Sequence, residues 1–231
     1  MSRSDSRVSQ QQSSDIKRAV AAFRAGEGVL IHDDDDREAE TDLLFPAEGI
    51  TPKRIAQLRN DAGGLLFVAL AADVADAFEL PFLHDVIDHP ANDHSDLSYD
   101  ARPSFSLSVN HRDTYTGITD TDRARTVDAL ATAAAAARAG EYDAEDFGTE
   151  FRTPGHVHLL RAADDLLEER QGHTELGIAL AEAADQPPAV VGCEMLDDET
   201  GGALSKAAAR DYAARHDLVY VEGSALLETL R

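Results

Sequence analysis

Strand-type and helix-type segments alternate along this chain from end to end, and that alternation limits the possible folds more than any other feature. VLIH (29–32), LLFVAL (65–70), SFSLSV (104–109), the run inside RTPGHVHLLRA (152–162), AVVGCEML (189–196) and LVYVEG (218–223) are short, apolar and rich in β-branched or aromatic residues. The segments between them carry a helical period. DIKRAVAAFRAGE, from Asp15, puts Ile16, Val20 and Phe23 on one face with Ala19 beside them, and Gly26 and Gly28 close it. TPKRIAQLRNDAGG offers Thr51 as N-cap, Pro52 at the first helical position and Gly63-Gly64 as the stop. Further helices are expected from TDRARTVDALATAAAAARAGE, ending at Gly140, from HTELGIALAEAA, ending before Pro187-Pro188, and from LSKAAARDYAARHD. Strands separated by helices form a sheet covered by helical layers. The expected class is α+β with α/β-type alternation: a single layered domain over residues 15–231, its helices around a mixed β-sheet. The Ser/Gln-rich residues 1–14 read as a disordered tail, and the polar stretch 84–104 as a long loop.

Charge decides what such a domain can bind. Asp and Glu number 44 against 21 Lys and Arg, a formal charge of −23. A field of that sign opposes nucleic acid and anionic membrane surfaces as partners. Lysine occurs only at Lys17, Lys53 and Lys206. Acid excess with so few lysines fits a protein kept soluble in concentrated salt, where screening acts over about 3 Å. The competing reading is an acidic binding protein, a cation buffer or nucleic-acid mimic. The one cysteine, Cys193, excludes an internal disulfide and any multi-cysteine metal site. The N-terminus shows no apolar leader, and no stretch nears the roughly 18 apolar residues of a membrane span, so the expected location is the cytoplasm.

Four stretches hold candidate chemistry. In IHDDDDREAETDLLFPAE (31–48), Asp33 to Asp36, Glu38, Glu40 and Asp42 crowd around Arg37 directly after an apolar strand, where ligands of such folds gather. Hard oxygen donors so placed suit Mg²⁺, although a solvated acidic loop has the same composition. In ERQGHTELGIALAEAA (169–184), Arg170, Gly172 and Thr174 stand at a helix start, which offers free N–H groups to a phosphate, and His173 beside them suits a metal or proton transfer. His156 and His158 share one strand face, as structural histidines or as ligands. Glu194 lies in an otherwise apolar strand, so it must be paired, protonated or functional.

Taken in order, strand then DDDDREAETDLLFPAEGITP, GGLLFVAL, HRDTYTGITDTDRARTV, RTPGHVHLLRA, RQGHTELGIALAEAA and CEMLDDETG resemble the 3,4-dihydroxy-2-butanone 4-phosphate synthase family of riboflavin biosynthesis, over residues 17–225 or so. The resemblance implies a lyase that converts D-ribulose 5-phosphate to L-3,4-dihydroxy-2-butanone 4-phosphate and formate. It implies a homodimer with sites near the interface, and Mg²⁺ or Mn²⁺, two ions per site. Carried over residue by residue, Glu38 and His173 would hold metal, and Arg37, Glu38 and Asp42 would touch substrate. Arg170, Gly172 and Thr174 would cradle the phosphate, with Gln171 and His173 also at the substrate. His156 and Glu194 match the family's essential catalytic residues, and Thr116, beside Gly117, would lie near substrate. This chain has Thr41 where the family usually has Gly, and Phe67 where it often has Cys. A fused GTP cyclohydrolase II domain with cysteine-bound zinc is not expected from this length and one cysteine. Another metal-dependent phosphosugar isomerase or aldolase would share the same ligand logic.

Overall fold

The structure, a computed structural model, describes residues 3–95, 97, 100 and 102–230, with residues 3–11 described by backbone alone. Its elements in chain order are α1 (Arg3–Arg24), β1 (Val29–His32), β2 (Thr41–Pro46), α2 (Pro52–Gln57), β3 (Phe67–Leu70), α3 (Ala72–Ala77), α4 (Leu83–Val86), β4 (Phe105–His111), α5 (Asp120–Arg138), α6 (Ala144–Glu150), β5 (Phe151–Arg161), α7 (His173–Ala183), β6 (Ala189–Glu194), α8 (Lys206–Arg215), β7 (Val219–Glu222) and α9 (Gly223–Leu230). The strands form one seven-stranded sheet in the order β4-β5-β3-β6-β2-β1-β7. Two pairs, β1 with β7 and β3 with β5, are parallel, and the other four are antiparallel. This is the mixed sheet of a layered α+β domain.

Period two along the strands sorts the helices into layers. Leu44 and Val190 meet α7 at Gly177, where a Cβ would stand 3.3 Å from Leu44. The next residue, Phe45, turns to the opposite face and lies under the Arg54 guanidinium of α2. Thus α7 covers one face, and α2, packed with α5, covers the other. Phe23, Phe45, Phe67 and Phe151 are fully buried among valine, leucine and many alanines. The caps follow the sequence signals: Thr51 accepts from Arg54 N–H, Thr119 caps α5 and Ser205 caps α8. After α2 the chain widens into a π turn over Leu58–Ala62 and stops at Gly63, φ +86°.

Three local expectations change. Residues 3–14, expected as a disordered tail, continue α1 as helical backbone, whereas Met1 and Ser2 lie outside the described residues. No Gly or Pro interrupts this stretch, and each added residue extends a helix already anchored by buried Ile16, Ala19 and Phe23. The acidic segment after β1 does not stay a loop: TDLLFP returns as β2, buried at every position. The stretch 84–104 begins inside the short helix α4, and its residues 96, 98, 99 and 101 lie outside the described residues. Among the described residues no helix is long and apolar enough to cross a membrane.

Candidate active site

The hairpin between β1 and β2 carries the acidic segment, and Asp33 shapes it. Its side chain is fully buried and accepts from the N–H groups of Glu38 and Glu40 and from Arg37 Nη1, at 3.3, 3.0 and 3.2 Å. Those bonds curl residues 33–40 into a tight turn, with Ala39 in the left-handed region at φ +56°. Thr41 itself is extended and donates to or accepts from His32 Nδ1 at 2.9 Å, so this position needs no glycine. Asp35, by contrast, is 66% exposed and pairs with Lys206.

The turn delivers Glu38 to a wall built from three elements. Register sets Asp42 of β2 opposite Ile31 on one side and opposite Glu194 of β6 on the other. His173, the first residue of α7, points its ring at this row. Its Nε2–H donates to the Ile31 carbonyl at 3.2 Å, which turns Nδ1 toward the carboxylates of Asp42 and Glu38, 3.6 and 3.7 Å away. Burial alone would lower the His173 pKa, but Asp42, Glu38 and Asp33 outweigh it and push it up to about 9. Burial is also the main reason that Asp42 is pushed up to about 8, with Glu194, Glu38 and Glu40 adding repulsion against the His173 attraction. One oxygen of Asp42, Oδ1, is buried without a hydrogen-bond partner among the described residues. Glu194 is half-buried and accepts from Leu65 N–H at 2.6 Å across Gly64, where a Cβ would clash with that same carboxylate oxygen.

This row holds more negative charge than it can bond. Asp33, Glu38 and His173 offer ligand atoms within 4.8 Å of one another. Asp33 is committed to the turn, so Glu38 and His173 Nδ1 are the pair aimed outward, with the orphaned Asp42 oxygen beside them. An imidazole held by one nitrogen on a backbone carbonyl, with the other beside carboxylates, is the usual arrangement of a metal-binding histidine. The donor set fits a hard divalent cation.

Arginines stand beside this row, with Arg37 Nη1 3.3 Å from Glu38 Oε1. Arg170 pairs with Asp100 and with fully buried Glu175, and Arg37 Nη2 reaches the same Asp100 at 3.0 Å. Both guanidiniums close on Gly172, where a Cβ would stand 2.6 Å from Arg170 Nη1 and 2.9 Å from Arg37 Nη2. A larger residue there would displace both guanidiniums. Glu175 also accepts from Gly172 N–H, a capping-box arrangement that fixes the start of α7. The row and the arginines line a cavity of about 390 Å³, the size of a small-ligand site, whose walls include Arg37, Glu38, Asp42, Arg170, His173, Thr174 and Glu194. Phe67 and Leu160 line it as well, so Phe67 places a buried ring there.

Not every expected residue reaches this cavity. Gln171 is exposed at its edge and does not line it. His156 and His158 alternate with Leu160 on one face of β5, but His156 stands about 13 Å along the strand from Leu160 at the usual rise per residue. Thr116 lies in the turn before α5, near His156 in the same end of the molecule, with its hydroxyl 3.4 Å from Asp122. Within one chain these two do not meet Glu38 or His173. Sequence reasoning placed Asp33 and Glu40 in the acidic run without singling them out, and missed Asp100, Arg102 and Glu175. Glu175 was legible as the third residue after the Gly172 cap. Arg102, which lines the cavity and stacks 3.4 Å over Phe82, sits in a polar loop without periodicity, and nothing in its neighbours marks it.

Comparison with known proteins agrees with this geometry. The family model described as 3,4-dihydroxy-2-butanone 4-phosphate synthase matches residues 17–229. The enzyme of that name from Archaeoglobus fulgidus is 46% identical over 226 residues, covering 94% of each chain. The one from Methanosarcina acetivorans is 46% identical over 223 residues, covering 92% of this chain and 90% of its own. A crystal structure of 3,4-dihydroxy-2-butanone 4-phosphate synthase in complex with two magnesium ions superposes with a TM-score of 0.76 at 29% identity, over 91% of this chain and 94% of that one. The readings as a non-enzymatic acidic protein or as another phosphosugar isomerase or aldolase give way to this one. The chain belongs to the 3,4-dihydroxy-2-butanone 4-phosphate synthase family, enzymes of riboflavin biosynthesis.

Proposed function

We propose that this cavity converts D-ribulose 5-phosphate to L-3,4-dihydroxy-2-butanone 4-phosphate and formate with Mg²⁺ or Mn²⁺, two ions per site. The observation that carries the reading is His173: its Nε2 is tied to Ile31 while Nδ1 faces Glu38 and Asp42, and arginines line the same cavity. The reaction balances without an oxidant. One water is lost from the sugar skeleton and one returns, and the carbon released leaves as formate. Glu38 and His173 hold the cation, which supplies Lewis-acid stabilisation of an enediolate when bound.

The chain's own groups do the rest. Arg170, Gly172 and Thr174, at the positive end of α7, bind the phosphate and hold the reacting carbons beside the row of carboxylates. Asp42 and Glu194 face those carbons, Asp42 with its proton retained by burial and so able to give it up and take it back near neutrality. His156 is the remaining proton-moving group. It comes from a second copy of the chain: Tyr115 at 95% exposure and Ile118 at 49% border His156 and Thr116, an apolar edge suited to a homodimer contact that seats them at the partner's cavity. The negative surface suits salt-rich cytoplasm, so activity and melting temperature should both fall in dilute buffer. The deciding measurement is a coupled formate assay with ribulose 5-phosphate and Mg²⁺. Formate that disappears with a chelator supports the reading. No formate at any salt or metal concentration ends it.

A further inference from the structure

One hydrogen-bonded group of side chains lies outside the cavity. Strands β4 and β5 slip register between Val109 and Asn110, and Gly155 faces the slip so closely that a Cβ would stand 2.0 Å from the Val109 carbonyl carbon. Bulges of this kind re-aim side chains. Here the slip sets Asn110, 4% exposed, against His156. The His156 backbone N–H donates to Asn110 Oδ1 at 2.8 Å. Only an oxygen can accept that bond, so it fixes which end of the amide is which. The amide Nδ2 then lies 3.2 Å from His156 Nδ1, and Oδ1 lies 3.3 Å from the same atom. His156 is exposed, and its Nε2 has no partner among the described residues. Gly117, φ +82°, closes the other side: a Cβ there would stand 2.2 Å from the Asn110 amide. Gly117 N–H in turn donates to Asp122 in the first turn of α5 at 2.9 Å. Contacts therefore run from a helix start through a glycine to the amide and on to the imidazole.

We propose that Asn110 is the positioning residue of His156, holding the ring by Nδ1 in both of its protonation states. Oδ1 accepts from Nδ1–H whether Nε2 carries a lone pair or a proton. The neutral ring therefore takes a proton at Nε2, and the imidazolium gives it up there, in one orientation. A carboxylate would accept likewise; an aliphatic side chain would not. This inference rests on the reading of His156 as a proton-moving group and goes further by naming what aims it.

The test combines ¹⁵N-detected histidine NMR with steady-state kinetics on ribulose 5-phosphate and Mg²⁺, using the full chain and the variants Asn110→Asp, Asn110→Leu, Gly117→Ala and His156→Gln. The His156→Gln spectrum identifies the His156 signal. In the unaltered chain neutral His156 is expected as the Nδ1–H tautomer. Asn110→Asp keeps that tautomer, and Asn110→Leu leaves a mixture. Asn110→Leu lowers kcat by about 10- to 100-fold with little change in KM, the cost of a misaimed group. Gly117→Ala, which pushes on the amide, gives a smaller change in the same direction. An unchanged His156 tautomer in Asn110→Leu overturns the proposal whatever the kinetics. Full turnover in His156→Gln would instead remove the role assigned to His156, while the tautomer still decides what Asn110 does.

Discussion

Asp33 and Asp42 stand at the two ends of the same acidic turn, and both are almost wholly buried. Asp33 is saturated: two backbone N–H groups and a guanidinium meet its oxygens. Asp42 is starved: one oxygen has no partner among the described residues, and three carboxylates and His173 surround it. The same side chain at the same depth thus does opposite work. A bonded buried carboxylate is a fastener, because its charge is spent on fixed donors. An unbonded one keeps its proton and remains available to substrate and cation.

The contrast can be tested by removing one kind of group at a time. The largest effect belongs to the pair beside Asp42: Glu38→Ala or His173→Ala lowers formate production by about 10³-fold or more, equivalent to roughly 4 kcal/mol, and isothermal titration shows Mg²⁺ binding lost with it. Asp42→Asn lowers kcat by about 10²-fold while thermal melting stays level, since a neutral amide resembles the protonated acid. Asp33→Asn does the reverse first: denaturant unfolding loses about 1–3 kcal/mol as charged hydrogen bonds go, and activity declines with the turn. If Asp42→Asn unfolds the protein and Asp33→Asn leaves its stability intact, the distinction between fastener and reactive group is wrong.

Protonation gives a smaller, continuous handle. His173 and Asp42 are pushed up to about 9 and about 8, so at neutral pH the cation-free wall carries protons that a cation must displace. Mg²⁺ affinity should therefore rise with pH, about tenfold per unit for each proton released, and level off above about 9. A dissociation constant that is flat from pH 6 to 8 would contradict the starved-wall picture. The smallest effect is Asp35→Ala. An exposed pair with Lys206 adds little to stability, and turnover should stay close to that of the unaltered chain.

Much of the wall could be read from residues alone, because its chemistry is local. Arg170, Gly172, His173 and Thr174 fall on one helix start, and a lone glutamate in VVGCEML announces itself by its expense. The fastening role of Asp33 was not legible: seven carboxylates in 33–42 look alike until the backbone N–H groups choose one. Nor was β2, since TDLLFP follows an acidic run and is buried on both faces, which hides the alternation of a strand. The register slip at Asn110 and the distance of His156 from the cavity are products of strand pairing, which no spacing in the sequence encodes.

Asp42 is placed by β6, and β6 arrives late. The chain that leaves the ribosome carries Asp42 for some 150 residues of synthesis before Glu194, its cross-strand neighbour, exists. The hairpin β1–β2 can close early, because its ends are near in sequence. The wall cannot. A nascent or truncated chain that stops before β6 has the acidic turn but no site, and one exposed flank of β2 open to wrong pairing. The row of carboxylates is thus complete only once the central strand has been inserted between β3 and β2.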